Sequence, residues 1–171
     1  MKPGDHPEFF RLAPPPGASR ESTIRLDREG RFFHRDDEGD GLVENPRLAH
    51  ALHTWIARHP DDGRLILTNG YDWTYFEVQD APFHVDAVKI EGNGATLALR
   101  NGESYPLEGP LAEGDDGALY TTVQRKDGAF EARFSRTAQA ALAPLLEERE
   151  GVVGLTLAGS FFAPQKRIRP A

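Results

Sequence analysis

Arg64-Leu65-Ile66-Leu67-Thr68-Asn69-Gly70-Tyr71-Asp72-Trp73-Thr74-Tyr75-Phe76-Glu77-Val78 reads as two strands joined by a turn. The flanking residues are β-branched and aromatic, and Asn69-Gly70-Tyr71-Asp72 is turn chemistry. Side chains alternate across a strand, so Thr74, Phe76 and Val78 share one face and Trp73, Tyr75 and Glu77 the other. Both faces therefore carry large apolar groups. One can pack on a helix, and the other needs a second cover or a partner.

The helix lies just upstream. Asn45-Pro46 is an N-cap followed by proline at the first helical position. Leu48, Leu52, Trp55 and Ile56 then fall at i, i+4, i+7 and i+8, which predicts one apolar stripe that Pro60 and Gly63 end. Before it, Ile24 and Leu26 alternate with Arg25 and Asp27, and a Gly30 turn leads to Phe32-Phe33-His34, the pattern of a β-hairpin. An acidic loop, residues 36–41, links hairpin to helix. Residues 1–20 read as an extended arm, because Pro14-Pro15-Pro16-Gly17 favours a polyproline path, and Phe9-Phe10 can lie on the body. Downstream, strands are expected at 85–90, 96–99, 104–107, 119–124 and 129–134. Ser135 caps a helix shortened by Pro144, and strands follow at 152–157 and 160–163.

The chain has 171 residues, 39% hydrophobic and 27% charged, enough to bury a core without covalent staples. It contains no Cys, so disulfide scaffolds, zinc–thiolate sites, iron–sulfur clusters and thiol catalysis are excluded. A net charge of −7 argues against delocalised binding to nucleic acid, and the short basic tail Lys166, Arg167, Arg169 reads as solvated. No apolar run has secretory or membrane-spanning length, so a soluble cytoplasmic protein without membrane attachment is expected.

The two halves share an order of elements. Glu29-Gly30 before the first helix and Asp62-Gly63 after it are echoed by Asp127-Gly128 and Glu150-Gly151 around the second. Ile24-Arg25-Leu26-Asp27-Arg28-Glu29-Gly30-Arg31-Phe32, the helix after Pro46-Arg47-Leu48, Asp61-Asp62-Gly63-Arg64-Leu65-Ile66-Leu67-Thr68 and above all Val78-Gln79-Asp80-Ala81-Pro82-Phe83 carry a resemblance to the bacterial domain-of-unknown-function family 1285. That resemblance covers residues 23–83 by motif and the second half by order of elements. It implies a small α+β protein of two structurally related halves with internal duplication, the C-terminal half loosely pleckstrin-homology-like. It brings no catalytic residues, and it implies a binding or signalling role where the halves meet, without a defined ligand. The Pro-rich arm and the acidic loop depart from the family pattern.

Catalytic and metal chemistry find little support. Asp36, Glu38, Asp40 and Gly41 match positions 1, 3, 5 and 6 of a calcium loop, but position 12 is Arg47 where a bidentate Glu is required, and a solvated acidic turn is the better reading. His50 and His53 stand at i, i+3, with His34 and His84 elsewhere, but no third ligand is fixed, and surface or boundary histidines are expected. Ser160 in Ala158-Gly159-Ser160-Phe161-Phe162 lacks the second glycine of a nucleophile elbow. No P-loop or dinucleotide fingerprint is present, so no catalytic residue, metal or cofactor is assigned.

The expected organisation is an arm (1–20), an N-terminal α+β half (21–83) and a C-terminal α+β half (84–171). The expected role is a non-enzymatic binding or adaptor module in bacterial signalling. Its protein partner would be recognised through Trp73, Tyr75, Asp72, Asp80 and Phe83, the aromatics supplying contact area and the aspartates setting turns. The competing expectation for the aromatic face is that Phe9-Phe10 or the C-terminal half covers it. The alternative function is a small-molecule sensor, or an enzyme, with a pocket in the inter-domain crevice.

Overall fold

Asp27 ends the first strand and turns the chain back on itself. Its carboxylate accepts from the backbone N–H of Glu29 at 3.0 Å and of Arg31 at 2.8 Å, and Gly30 takes the left-handed φ of 83° that closes the turn. β1 (Ile24–Leu26) and β2 (Phe32–Asp36) thereby pair antiparallel, with Leu26 opposite Phe32. The computed structural model describes residues 1–36 and 39–168. The chain divides into two compact units, Met1–Pro82 with Arg125–Gly128 and Phe83–Gln124 with Ala129–Ala171. The fold class is α+β, the described residues forming mostly sheet with two short α-helices.

In the first unit β3 (Gly39–Leu42) pairs with β2, where a loop is expected from sequence, and the ladder reaches Asp36 opposite Gly39. Of the calcium-loop positions, Glu38 lies outside the described residues, as do Asp37 and, in the basic tail, Arg169. α1 (Pro46–Thr54) starts as expected, the Asn45 side chain accepting from the N–H groups of Arg47 and Leu48. It ends sooner than its apolar spacing predicts. The N–H of Trp55 donates to both Ala51 and Leu52 carbonyls, and Ile56 opens β4 (Ile56–Arg58) opposite Leu67 of β5 (Leu65–Thr68). Trp55 thus caps the helix and strand pairing takes Ile56, the last residue of the stripe. The buried face of α1 is Leu52 and His53, whereas Leu48 is exposed. His53 stacks edge-on against Phe32 at 4.8 Å, so it is a core histidine and not a surface one.

The single strand expected over 73–78 is two. β6 (Trp73–Tyr75) extends the β4–β5 sheet, and β7 (Glu77–Val78) pairs parallel with β1 in another sheet. The break falls at Phe76, buried 6.2 Å from the Phe32 ring. Two sheets result, ordered β3-β2-β1-β7 and β4-β5-β6.

The second unit opens with β8 (Phe83–Glu91), which pairs antiparallel with β9 (Gly94–Leu99) and parallel with residues 132–134 of a later strand. β10 (Ser104–Pro106), β11 (Ala112–Glu113), β12 (Leu119–Arg125), β13 (Gly128–Phe134) and β17 (Gln165–Lys166) complete a sheet of order β10-β9-β8-β13-β12-β11-β17. Between them lie α2 (Arg136–Ala141), capped by the Ser135 hydroxyl, and a meander of β14 (Leu146–Arg149), β15 (Val152–Leu157) and β16 (Ser160–Phe162). Pro144 sits in a 3₁₀ turn (Ala143–Leu145) that ends the helix, as its missing N–H demands. The order hairpin, helix, three-stranded antiparallel sheet therefore occurs twice along the chain: β1–β2, α1, β4-β5-β6 and β12–β13, α2, β14-β15-β16.

Gly154 lets β16 close on β15. A Cβ there would meet Phe161 Cζ at 2.5 Å and the Phe162 carbonyl oxygen at 2.6 Å. Gly154→Ala is therefore expected to destabilise the protein by about 1–3 kcal/mol through overpacking. Urea unfolding measures it, and an unchanged midpoint would refute this account of β16.

Candidate partner-binding site

The face of β4-β5-β6 that carries Trp73 and Tyr75 is built by register. Ala57 stands opposite Ile66, and Ile66 opposite Tyr75, so Ala57, Ile66, Tyr75 and Trp73 form one apolar surface. The N-terminal arm lies on it. It is not extended throughout, because Pro3 and Pro7 each start a 3₁₀ turn (Pro3–Asp5 and Pro7–Arg11), proline's fixed φ suiting that position. The second turn places Phe9 into the cluster with Ile66 and Trp73, and Phe10 at its margin. Trp73 is only 6% exposed.

Polar groups fix the arm's path. Trp73 Nε1 donates to the Phe9 carbonyl at 3.2 Å. A buried indole N–H without a partner would cost about 1–3 kcal/mol, so this bond and the burial of the ring stand together. Asp61 N–H donates to His59 Nδ1, which leaves the His59 proton on Nε2, 2.9 Å from the Phe10 carbonyl. His59 is itself buried, edge-on to Trp73 at 4.9 Å and stacked on Tyr75 at 5.8 Å. Gly4 N–H donates to Gly70 O at 2.8 Å, and a Cβ on Gly4 would come within 2.9 Å of Gly70 Cα, so only glycine permits this approach. Downstream, Pro15 to Ala18 form a turn with Gly17 at φ 79°.

Charges pin both ends. Arg11 makes a bidentate pair with Asp61 at 3.0 and 3.1 Å. Arg20 Nη1 donates to Asp72 at 2.6 Å and to Trp73 O at 2.9 Å. Its Nη2 reaches the Leu12 and Ala13 carbonyls, and its guanidinium lies 4.5 Å from the indole centroid. The Arg11 and Arg20 hydrogen bonds hold Asp61 and Asp72, respectively, below the usual carboxylate range. Burial pushes Asp62 up, but bonds from the Tyr75 hydroxyl and the Arg64 N–H outweigh it and leave Asp62 lowered. Tyr75 is raised by donating to that carboxylate. Arg64 covers the Tyr75 ring at 3.6 Å and pairs with Glu21.

Of the expected partner-contacting residues, Trp73, Tyr75 and Asp72 come together in this site. Trp73 is a core residue under the arm, Tyr75 is half-buried, and Asp72 is exposed and bound to Arg20. Asp80 is half-buried near the end of the first unit. Phe83 belongs to the second unit, 2% exposed, its ring 5.0 Å from Phe130. It is therefore core, not an exposed anchor. His59, Arg20 and Gly4 are the residues that no sequence pattern marks. The one signal in reach was Phe9-Phe10 beside a face lacking cover. A cavity behind Trp73, bordered by Leu52, Trp55, Leu67 and Thr74, holds about 150 Å³, below the size of small-molecule sites. Among the described residues no group of three or more metal-binding side chains occurs, and no helix is long and apolar enough to cross a membrane.

No family model matches the sequence, and no curated protein matches it significantly. Solved structures do. A DUF1285 family protein from Silicibacter pomeroyi DSS-3 superposes with a TM-score of 0.61 at 20% identity, over 92% of this chain and 86% of that one. A DUF1285 family protein from Shewanella baltica OS155 superposes with a TM-score of 0.51 at 11% identity, over 74% of this chain and 94% of that one. The chain has the α+β fold of the DUF1285 family proteins.

Proposed function

We propose that this protein is a non-enzymatic adaptor in bacterial signalling, and that the aromatic face of β4-β5-β6 receives a short apolar peptide segment whose place its own arm occupies. The observation that carries this reading is the pair of side-chain N–H groups, Trp73 Nε1 and His59 Nε2, aimed at the consecutive main-chain carbonyls of Phe9 and Phe10. Donors to successive carbonyls, with aromatic rings beside them, grip a peptide backbone whatever its exact sequence. Ring packing then selects for apolar side chains. The cavity behind Trp73 is too small to favour a metabolite at this face. A partner segment competes with the arm, whose tether gives it an effective concentration of about millimolar order. The pairs Arg11–Asp61 and Arg20–Asp72 set how readily the arm yields.

A labelled peptide of residues 1–12 tests this on the full chain. The Phe9→Ala, Phe10→Ala protein, with its own arm weakened, is expected to bind the peptide at least about tenfold more tightly than the unaltered protein. Adding His59→Ala should reverse the gain. A folded Phe9→Ala, Phe10→Ala protein that ignores the peptide at millimolar concentration sinks the proposal.

The carboxylates predict a pH dependence. Asp61 and Asp72 titrate below their free value in the folded protein. Their contribution is complete above about pH 4 and is lost as pH falls through the depressed values. In a Trp55→Phe background, Trp73 fluorescence should gain acrylamide accessibility as pH drops below about 4. A protein carrying Asp61→Asn and Asp72→Asn should show that accessibility at neutral pH already. Identical profiles for the two would exclude these pairs as the clamp.

A further inference from the structure

We propose that the second unit contains a binding site for a singly charged amphiphilic anion, an alkyl carboxylate, held with its head at Arg136 and its chain beneath Leu146. The site is independent of the arm and its aromatic face. It consists of two adjoining cavities. One, of about 560 Å³, is bordered by Arg133, Arg136, Phe134, Leu119 and Leu146. The other, of about 250 Å³, is bordered by Leu111, Val153, Leu155, Phe162 and Pro164. Gly117, Leu119, Gln139 and Leu146 line both. Each volume exceeds the 150 Å³ space beside Trp73, and the larger lies within the roughly 300–1,000 Å³ range of ligand sites.

The shared wall is made rigid by Gln139 of α2. Its Oε1 accepts from Leu119 N–H at 3.1 Å and its Nε2 donates to Gly117 O at 3.2 Å, so the amide is spent on the protein and leaves the ligand an apolar surface. The 3₁₀ turn at Ala143–Leu145 then delivers Leu146 to the rim, 38% exposed, near Val153 at 54%. Apolar side chains left in water around an apolar recess gain from an alkyl occupant, about 0.8 kcal/mol for each methylene buried.

Charge sets the orientation and the valence. Arg133 donates to the Tyr120 hydroxyl at 2.6 Å and to Asp116 at 3.2 Å. Bonds from Ala118 N–H and then Arg133 hold Asp116 below its usual range, so Arg133 and Asp116 neutralise one another at neutral pH. Arg136, exposed at the mouth, has no ion-pair partner among the described residues and leaves one uncompensated positive charge. The far cavity carries Glu113, which repels an anionic head from that end. A free cation at the mouth of the larger cavity, an acid on the adjoining one and apolar side chains lining both match a monoanion with a hydrocarbon tail.

Isothermal titration of the full chain with dodecanoate, dodecanol, dodecyltrimethylammonium and acetate, below micellar concentrations, decides it. Dodecanoate should bind once per chain and raise Tm, dodecanol about five- to tenfold more weakly, and acetate and the cationic amphiphile not detectably. Arg136→Ala should bring dodecanoate down to the level of dodecanol and leave dodecanol unchanged. Ala140→Trp, which places an indole in the larger cavity from an exposed helical position, should abolish both. No binding of dodecanoate, equal binding of the cationic amphiphile, or indifference to both substitutions would overturn the proposal.

Discussion

The buried N–H of Trp73 is the constraint on which the first unit's aromatic face depends. An indole cannot leave water cheaply without a partner for its one polar atom. The partner is a main-chain carbonyl from the arm, at Phe9. Once that bond forms, the rest follows from proximity. Phe9 packs on Ile66, His59 finds the next carbonyl, Arg11 meets Asp61, and Arg20 spans Asp72 and the arm's later carbonyls. Gly4 allows the backbones to meet where a Cβ would come within 2.9 Å of Gly70 Cα. A face made this way is held by carbonyls and rings and not by one particular side-chain sequence, which is what makes it suitable for exchange with another segment.

The two units use one local grammar for different ends. Each has a short helix capped by Asn45 or Ser135 and a three-stranded antiparallel sheet. In the first unit that sheet is covered by the arm. In the second, β14-β15-β16 leaves Leu146 and Val153 partly in water beside two cavities. Electrostatics differ accordingly. Around the arm, arginines are consumed by carboxylates in closed pairs, whereas Arg136 of α2 has no ion-pair partner among the described residues. The first arrangement holds a segment of this chain in place, and the second has a charge left for something else.

Much of the fold was legible along the chain. The Asp27–Gly30 turn, the Asn45 and Ser135 caps and most strands are set by interactions within a few residues, where side-chain chemistry and backbone preference act alone. The α+β class and the family resemblance followed from those elements, and the solved DUF1285 structures share the fold. The site was legible only as composition: Trp73 and Tyr75 on one face of a strand, with two phenylalanines somewhere upstream.

What needed the tertiary structure were the choices between competing partners. Trp55 and Ile56 continue a helical stripe in sequence, yet Ile56 joins β4 because a ladder with Leu67 outcompetes one more helical turn. Residues 73–78 alternate as one strand, yet Phe76 turns into the core and divides it between two sheets. His53 is expected at the surface or boundary from its spacing, yet it is buried against Phe32, and His59, which no sequence pattern marks, is buried against Trp73. Local sequence determines which conformations are cheap, because steric and hydrogen-bond preferences act over a few residues. Which apolar face is covered, and by what, is decided by segments far apart in the chain, because burial and the partnering of buried polar groups belong to the assembled fold.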